Sequence, residues 1–170
     1  RRDVMVCDYQ YKWDATEKKH KKTVNKKVAD WYPGKWRREW MPLGFLDPNN
    51  TGVNYCPLRY ADVVLMYVEA LVRQNRTSEA IQLADFKKIR TRAGLDAYTT
   101  SQLTVDELYA ERGRELAWEG WRHEDMIRFG KYLKKYWAHP DQSSETFRNV
   151  FPIPTDILNA NPKLSQNKDY

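Results

Sequence analysis

The stretch T-V-D-E-L-Y-A-E-R-G-R-E-L-A-W-E-G-W-R-H-E-D-M-I-R-F-G, residues 104–130, decides how this 170-residue chain is read. Thr104 followed three positions later by Glu107 is a capping box: the hydroxyl accepts from the Glu107 backbone N–H, and the carboxylate reaches back to the Thr104 amide. A helix starts there. Along it Leu108, Tyr109, Leu116 and Trp118 supply apolar surface, while Glu111, Arg112, Arg114, Glu115 and Glu119 set opposite charges three or four residues apart. Gly120 is expected to stop or kink the helix. Trp121, Met126, Ile127 and Phe129 then form the buried side of a second short helix carrying Arg122, Asp125 and Arg128.

So many carboxylates invite a catalytic reading, with Glu111, Glu115, Glu119 and Asp125 as candidate acid and base for glycoside hydrolysis. That chemistry needs two carboxyl groups facing each other across a sugar, about 5–10 Å apart, with one pKa raised by an apolar pocket. Here every carboxylate has an arginine at helical spacing, and an adjacent cation lowers a carboxyl pKa. The better reading is structural: Glu111, Arg112, Glu115, Glu119, Arg122, Asp125 and Arg128 form a charge network that ties two helices together. His123 could be a base oriented by Asp125, but side chains two residues apart on a helix do not face each other. No metal or cofactor motif is visible.

Working outward, residues 59–72, R-Y-A-D-V-V-L-M-Y-V-E-A-L-V, are apolar nearly all round and imply a helix buried on several sides. N-R-T-S-E punctuates it at 75–79, with Thr77 or Ser78 as the next N-cap. A second helix is expected from about Glu79 to Arg92, ended by Gly94. Two antiparallel helices joined by a short polar turn, with Ala70, Ala80 and Ala84 on the facing sides, are the elementary unit of a TPR-like repeat. One such unit exposes helix faces that something must cover. Towards the C-terminus, prolines on both sides of Ile153 exclude a helix interior or central strand and predict an extended segment laid on the body, with Thr155 capping a short helix.

The first 56 residues read as loop and strand. Val4 and Val6 alternate with Met5 and Cys7 in a short strand. Trp36, Trp40 and Phe45 crowd around Arg37 and Arg38, and aromatic faces beside guanidinium groups are platforms for sugar rings or bases as well as ordinary packing; from this stretch Trp31, Tyr32, Trp36 and Trp40 are singled out. These four are the candidate ligand contacts. The run L-D-P-N-N-T-G at 46–52 begins like a calcium loop, but Leu58 stands where the bidentate acid belongs, so it is read as a turn.

The formal charge is +6, and 14% of the residues are aromatic. Much of the positive excess lies in K-K-H-K-K-T-V-N-K-K, Lys18 to Lys27. Such a run binds nucleic acid or an anionic membrane through charge alone, or marks a solvated loop or hairpin; no base-reading module accompanies it, so the hairpin is preferred and nucleic acid is not expected as a partner. Cys7 and Cys56 lack metal spacing and are read as buried thiols, their pairing left open. No apolar run reaches 18 residues and no secretory signal is seen.

Four motifs, R-Y-A-D-V-V-L-M-Y-V-E-A (59–70), K-I-R-T-R-A-G-L (88–95), E-R-G-R-E-L-A-W-E-G-W-R-H-E-D-M-I-R-F-G (111–130) and F-P-I-P-T-D-I-L-N-A-N-P-K-L-S-Q-N-K-D-Y (151–170), occur in one order. Together they resemble the C-terminal part of the SusD/RagB family, nutrient-binding surface lipoproteins of Bacteroidetes. The resemblance implies a mainly α fold of TPR-like helix pairs with long irregular loops and an extended proline-containing C-terminal segment. It divides the chain into residues 1–56, loop- and strand-rich, and 57–170, the family's C-terminal helical region. It implies a non-catalytic binder of oligosaccharide or polysaccharide, without a cofactor, at the outer membrane. The implied partners are a SusC-like TonB-dependent transporter and an upstream part of its own chain, which bears the lipid anchor. The rival readings are a glycoside-active enzyme using Glu111, Glu115 or Asp125, and a basic nucleic-acid-binding domain using Lys18 to Lys27.

Overall fold

The computed structural model describes residues 6–36, 54–135 and 145–170. The candidate Trp40, the arginines 37 and 38, and the 46–52 turn lie outside them. The chain is mainly α and divides into two compact units, Arg1–Trp121 and Arg122–Tyr170.

The first unit opens with strand β1 (Val6–Cys7), paired antiparallel with β4 (Tyr32–Pro33), and a hairpin of β2 (Tyr9–Asp14) and β3 (Lys19–Val24). The basic run thus forms the hairpin turn, its second strand and the residues just beyond. The register pairs Tyr9 with Val24, Tyr11 with Lys22 and Trp13 with His20. Lys18 takes the left-handed conformation (φ 52°) that reverses the chain.

Helix α1 (Tyr60–Arg73) is the centre of the unit, packed against α2 (Thr77–Ala80), α3 (Ala84–Thr91) and α4 (Val105–Glu115). Its buried positions Val64, Leu65, Val68, Leu71 and Val72 recur at helical spacing and meet Ala80, Phe86, Ile89, Tyr98, Leu103, Leu108 and Leu116 in one cluster. The helix is not buried all round: Tyr60, Val63, Met66 and Tyr67 are exposed. It ends where Asn75 (φ 61°) turns left-handed, with Arg76 N–H on the Leu71 carbonyl and Asn75 N–H on that of Val72, the Schellman pattern.

The expected second helix is two pieces. On a continuous helix, at 100° per residue, Ala80 and Ile89 would point in roughly opposite directions; both are buried in the same cluster, and the turn at 81–83 makes that possible. Arg76, not Thr77 or Ser78, occupies the N-cap of α2. Gly94 ends α3 in the left-handed region (φ 71°), which L side chains adopt only under strain.

Helix α4 starts as the sequence requires, with the Thr104 hydroxyl accepting from Glu107 N–H. Only half of the capping box forms, because Thr104 N–H donates to the Gln102 carbonyl and the Glu107 carboxylate turns to Tyr98 and Arg114. The helix closes at Glu115, before Gly120. Trp118 (φ 67°) and Gly120 (φ 84°) bend the turn that follows, and Trp118 stands 52% exposed instead of adding to the apolar face.

In the second unit, α5 (Arg122–Arg128) buries Asp125, while Met126, Ile127 and Phe129 are half-buried. Pro154 is the N-cap of α6 (Thr155–Ala160), so Thr155 is the first helical residue and not the cap. The extended segment 150–153 is tied to the chain's own tail: Ile153 exchanges two hydrogen bonds with the Gln166 amide, Asn167 donates to the Phe151 carbonyl, and the Tyr170 hydroxyl donates to that of Val150. Both cysteines are free; Cys7 is buried, whereas Cys56 is exposed.

Candidate functional site

The buried face of α4 is Leu108, Glu111, Arg112 and Glu115, one apolar residue and three charged ones. Burying a charge is tolerated only when it is paired and hydrogen-bonded. Each of these is, and most partners come from far along the chain. Arg112 Nη1 donates to Asp62 Oδ1 of α1 at 2.8 Å, both side chains buried. Glu115 Oε1 accepts from Arg59 (2.9 Å) and Arg92 (2.6 Å). Arg59 also reaches the Glu115 carbonyl (2.6 Å) and Glu119 Oε2 (2.7 Å). Lys35 joins from the opposite end of the unit, bonding the Glu115 carbonyl at 3.1 Å and the Glu119 carboxylate.

A second cluster lies higher on the helix. The Tyr98 hydroxyl sits between Glu107 (2.6 Å) and Glu111 (3.0 Å), and Arg114 clamps both carboxylates. Arg90 lies over the Tyr98 ring at 3.9 Å. Of the expected pairs at helical spacing on α4, Glu111 with Arg114 is formed. Asp125 pairs with Arg128 within the second unit. Spacing along one helix does not reveal Lys35, Arg59, Asp62 or Arg92.

Glu111 and Glu115 are 0% and 1% exposed, enclosed among cations with no face left for a substrate. Burial alone would raise the Glu119 carboxyl, but the Arg59 and Lys35 hydrogen bonds outweigh it and hold the pKa below the ordinary 4.5. Glu107 is likewise held low against burial, by Tyr98 and Arg114. A general acid needs the opposite shift.

The unfolded chain binds these protons at higher pH than the folded one. The stabilisation is therefore complete above the ordinary carboxylate range and lost as pH falls through the depressed folded values. The urea midpoint is expected to fall on acidification from neutral to about pH 3.5, and Glu119→Gln to flatten that fall. A midpoint indifferent to acid, or unchanged steepness in the variant, would contradict it.

The network seats an aromatic pair. Lys35, the residue before Trp36, is held by the Glu115 carbonyl, and the Tyr55 hydroxyl donates to the Glu119 carbonyl at 2.8 Å. The Trp36 and Tyr55 rings lie 6.3 Å apart, tilted by 51°, and are 39% and 59% exposed. Trp36 has φ 62°, a strained conformation for a bulky residue, of the kind that clusters at binding sites. A side chain on Gly120 would press on the Tyr55 oxygen at 3.1 Å. Trp31 and Tyr32 stand instead at the hairpin foot, where Trp31 Nε1 donates to the Asn25 carbonyl and the Tyr32 hydroxyl to Gln10. Nothing in the sequence pattern marks Tyr55 as the partner of Trp36. Among the described residues no cluster of His, Cys, Asp or Glu fits a metal ion, and no helix is long and apolar enough to cross a membrane.

The fold and site define a TPR-like helical scaffold with exposed aromatics carried on its irregular segments. The SusD family model matches residues 3–170, and the chain belongs to that family. It is 32% identical over 119 residues to the starch-binding protein SusD of Bacteroides thetaiotaomicron, an alignment covering 66% of this chain and 21% of that protein. The chain thus spans about a fifth of that relative's length. Surface glycan-binding protein A from Bacteroides uniformis superposes with a TM-score of 0.66 at 25% identity, covering 92% of this chain and 36% of that one. A SusD superfamily protein from Bacteroides vulgatus shares the fold, with a TM-score of 0.61 at 23% identity over 96% of this chain and 35% of that one.

Proposed function

We propose that the chain belongs to a non-catalytic, glycan-binding protein of the outer-membrane surface. There the whole protein, held by a lipid anchor outside these 170 residues, delivers oligosaccharide to a SusC-like TonB-dependent transporter. The family match over residues 3–170 carries this reading; a relative named for starch binding and a structural neighbour named for surface glycan binding support it. On this chain the Trp36–Tyr55 pair is the contact, because exposed rings with polar edges stack on sugar faces and the strained backbone holds them in place before binding. The buried carboxylates serve as scaffold.

Affinity electrophoresis against soluble polysaccharides tests the reading. Retardation by at least one glycan is expected, with Trp36→Ala and Tyr55→Ala each weakening it about tenfold, the scale of one lost aromatic contact. Binding that survives both substitutions would remove the pair from the site. Release of reducing ends from any polysaccharide on the panel would overturn the non-catalytic reading.

A further inference from the structure

A cleft of about 650 Å³ opens within the first unit, between the start of α1 and the length of α3, and has the size of a small-ligand pocket. Its floor is apolar: Val64 and Ile89 line it, both buried and both members of the cluster around α1. Packed helices ordinarily fill such a gap with side chains. Here Ala61 and Thr91 are too short to do so, and the cleft stays open down to the core.

The rim is cationic. Arg59, Lys88 and Arg92 line the cleft against a single carboxylate, Asp85. Asp85 is already taken, accepting from the Tyr60 hydroxyl at 2.7 Å and from Lys88 at 3.0 Å. Glu115, shared by Arg59 and Arg92, is buried and does not line the cleft. Three cations thus stand against two carboxylates, since Glu119, the other contact of Arg59, is matched by Lys35. Among the described residues one positive charge is left over. The exposed donors are Arg92 and Lys88, whose side chains are 63% and 75% exposed. A guanidinium carries five N–H groups and an ammonium three, so each keeps donors for a further acceptor.

Resting on the glycan-binding reading above, we infer that this cleft holds an acidic sugar, its uronate carboxylate on Arg92 and Lys88 and the C–H face of its ring on Val64 and Ile89. The apolar floor suits a pyranose, and the excess charge suits one carboxylate, which the planar guanidinium matches in geometry. Arg59 joins the cleft to the aromatic pair, because it also bonds Glu119 at 2.7 Å, and the Glu119 carbonyl holds the Tyr55 hydroxyl. The cleft therefore supplies the charge preference of a glycan site whose stacking contacts are Trp36 and Tyr55.

The test is calorimetry on the protein with trigalacturonate, its methyl ester and inorganic sulfate. The ester keeps the rings and removes the charges. Trigalacturonate is expected to bind about tenfold tighter than the ester and to weaken as salt rises, since exposed charges are screened. Lys88→Gln and Arg92→Gln are each expected to weaken the acid about fivefold and leave the ester unchanged. Thr91→Trp, which adds bulk to the lining from an exposed position, is expected to bring the acid down to the level of the ester. Equal binding of acid and ester, or acid binding that ignores all three variants, would overturn the cleft and leave the glycan reading standing. Sulfate bound as tightly as the trisaccharide would overturn it in favour of a bare anion site. Trigalacturonate that fails to bind while a neutral polysaccharide retards the protein would overturn the cleft alone. Failure of every saccharide, acidic or neutral, would overturn both readings together.

Discussion

Replacing Arg112 by Leu is expected to lower the free energy of unfolding by about 3–5 kcal/mol, the cost of leaving a buried charge without its counterion. Asp62 is 1% exposed, and Arg112 is its only ion-pair partner among the described residues. Its second oxygen, Oδ2, has no hydrogen-bond partner among the described residues. The pair joins α1 to α4 with both side chains out of solvent, so water does not readily take the place of the guanidinium. The double variant Asp62→Leu, Arg112→Leu is expected to recover most of the loss, because a buried ion pair is often matched by apolar residues of similar volume. Urea unfolding of the two variants decides it. A single variant as stable as the unsubstituted protein, or a double variant worse than the single, would show that the pair does not carry the α1–α4 contact.

Phe86→Ala is expected to cost a similar amount, about 3–5 kcal/mol. Phe86 is 2% exposed and belongs to the cluster around α1. Its ring also stacks on Tyr98, with centroids 5.7 Å apart and planes 18° from parallel. The Tyr98 hydroxyl is the hinge of the Glu107–Glu111–Arg114 cluster, so truncating Phe86 removes apolar contact and loosens a polar network at once. Tyr98→Phe keeps the stack and removes the hydroxyl. The double variant Phe86→Ala, Tyr98→Phe should therefore cost less than the two single losses combined, as residues in contact are not independent. Strict additivity, or a Phe86→Ala loss below about 1 kcal/mol, would place the cluster's rigidity elsewhere.

What the sequence makes legible is local chemistry. Thr104 at the start of α4, Gly94 at the end of α3 and the apolar run of α1 each announce an element through forces acting within a few residues. The break at 81–83 is not announced, because it arises from the need of Ala80 and Ile89 to face one helix, a demand visible only once α1 is in place. The charge network divides along the same line. Glu111 with Arg114 and Asp125 with Arg128 follow from spacing. Asp62 with Arg112 and Lys35 with Glu119 join residues distant in sequence, and no periodicity encodes them. The aromatic pair is legible at Trp36 and silent at Tyr55, which reaches it through a hydroxyl bond to the Glu119 carbonyl that the fold alone creates.

A helix with an ionic inner face also constrains how such a chain can change. An apolar contact tolerates drift, since neighbouring side chains adjust to a lost or added methylene one at a time. The inner face of α4 does not: altering Arg112 strands Asp62, and altering Glu115 takes a carboxylate from Arg59 and Arg92 at once, leaving Arg59 to Glu119. Substitutions here must arrive in sets. Where a relative lacks a cation at the position of Arg112, its counterpart of Asp62 should be uncharged as well, so that the two columns of an alignment change as one.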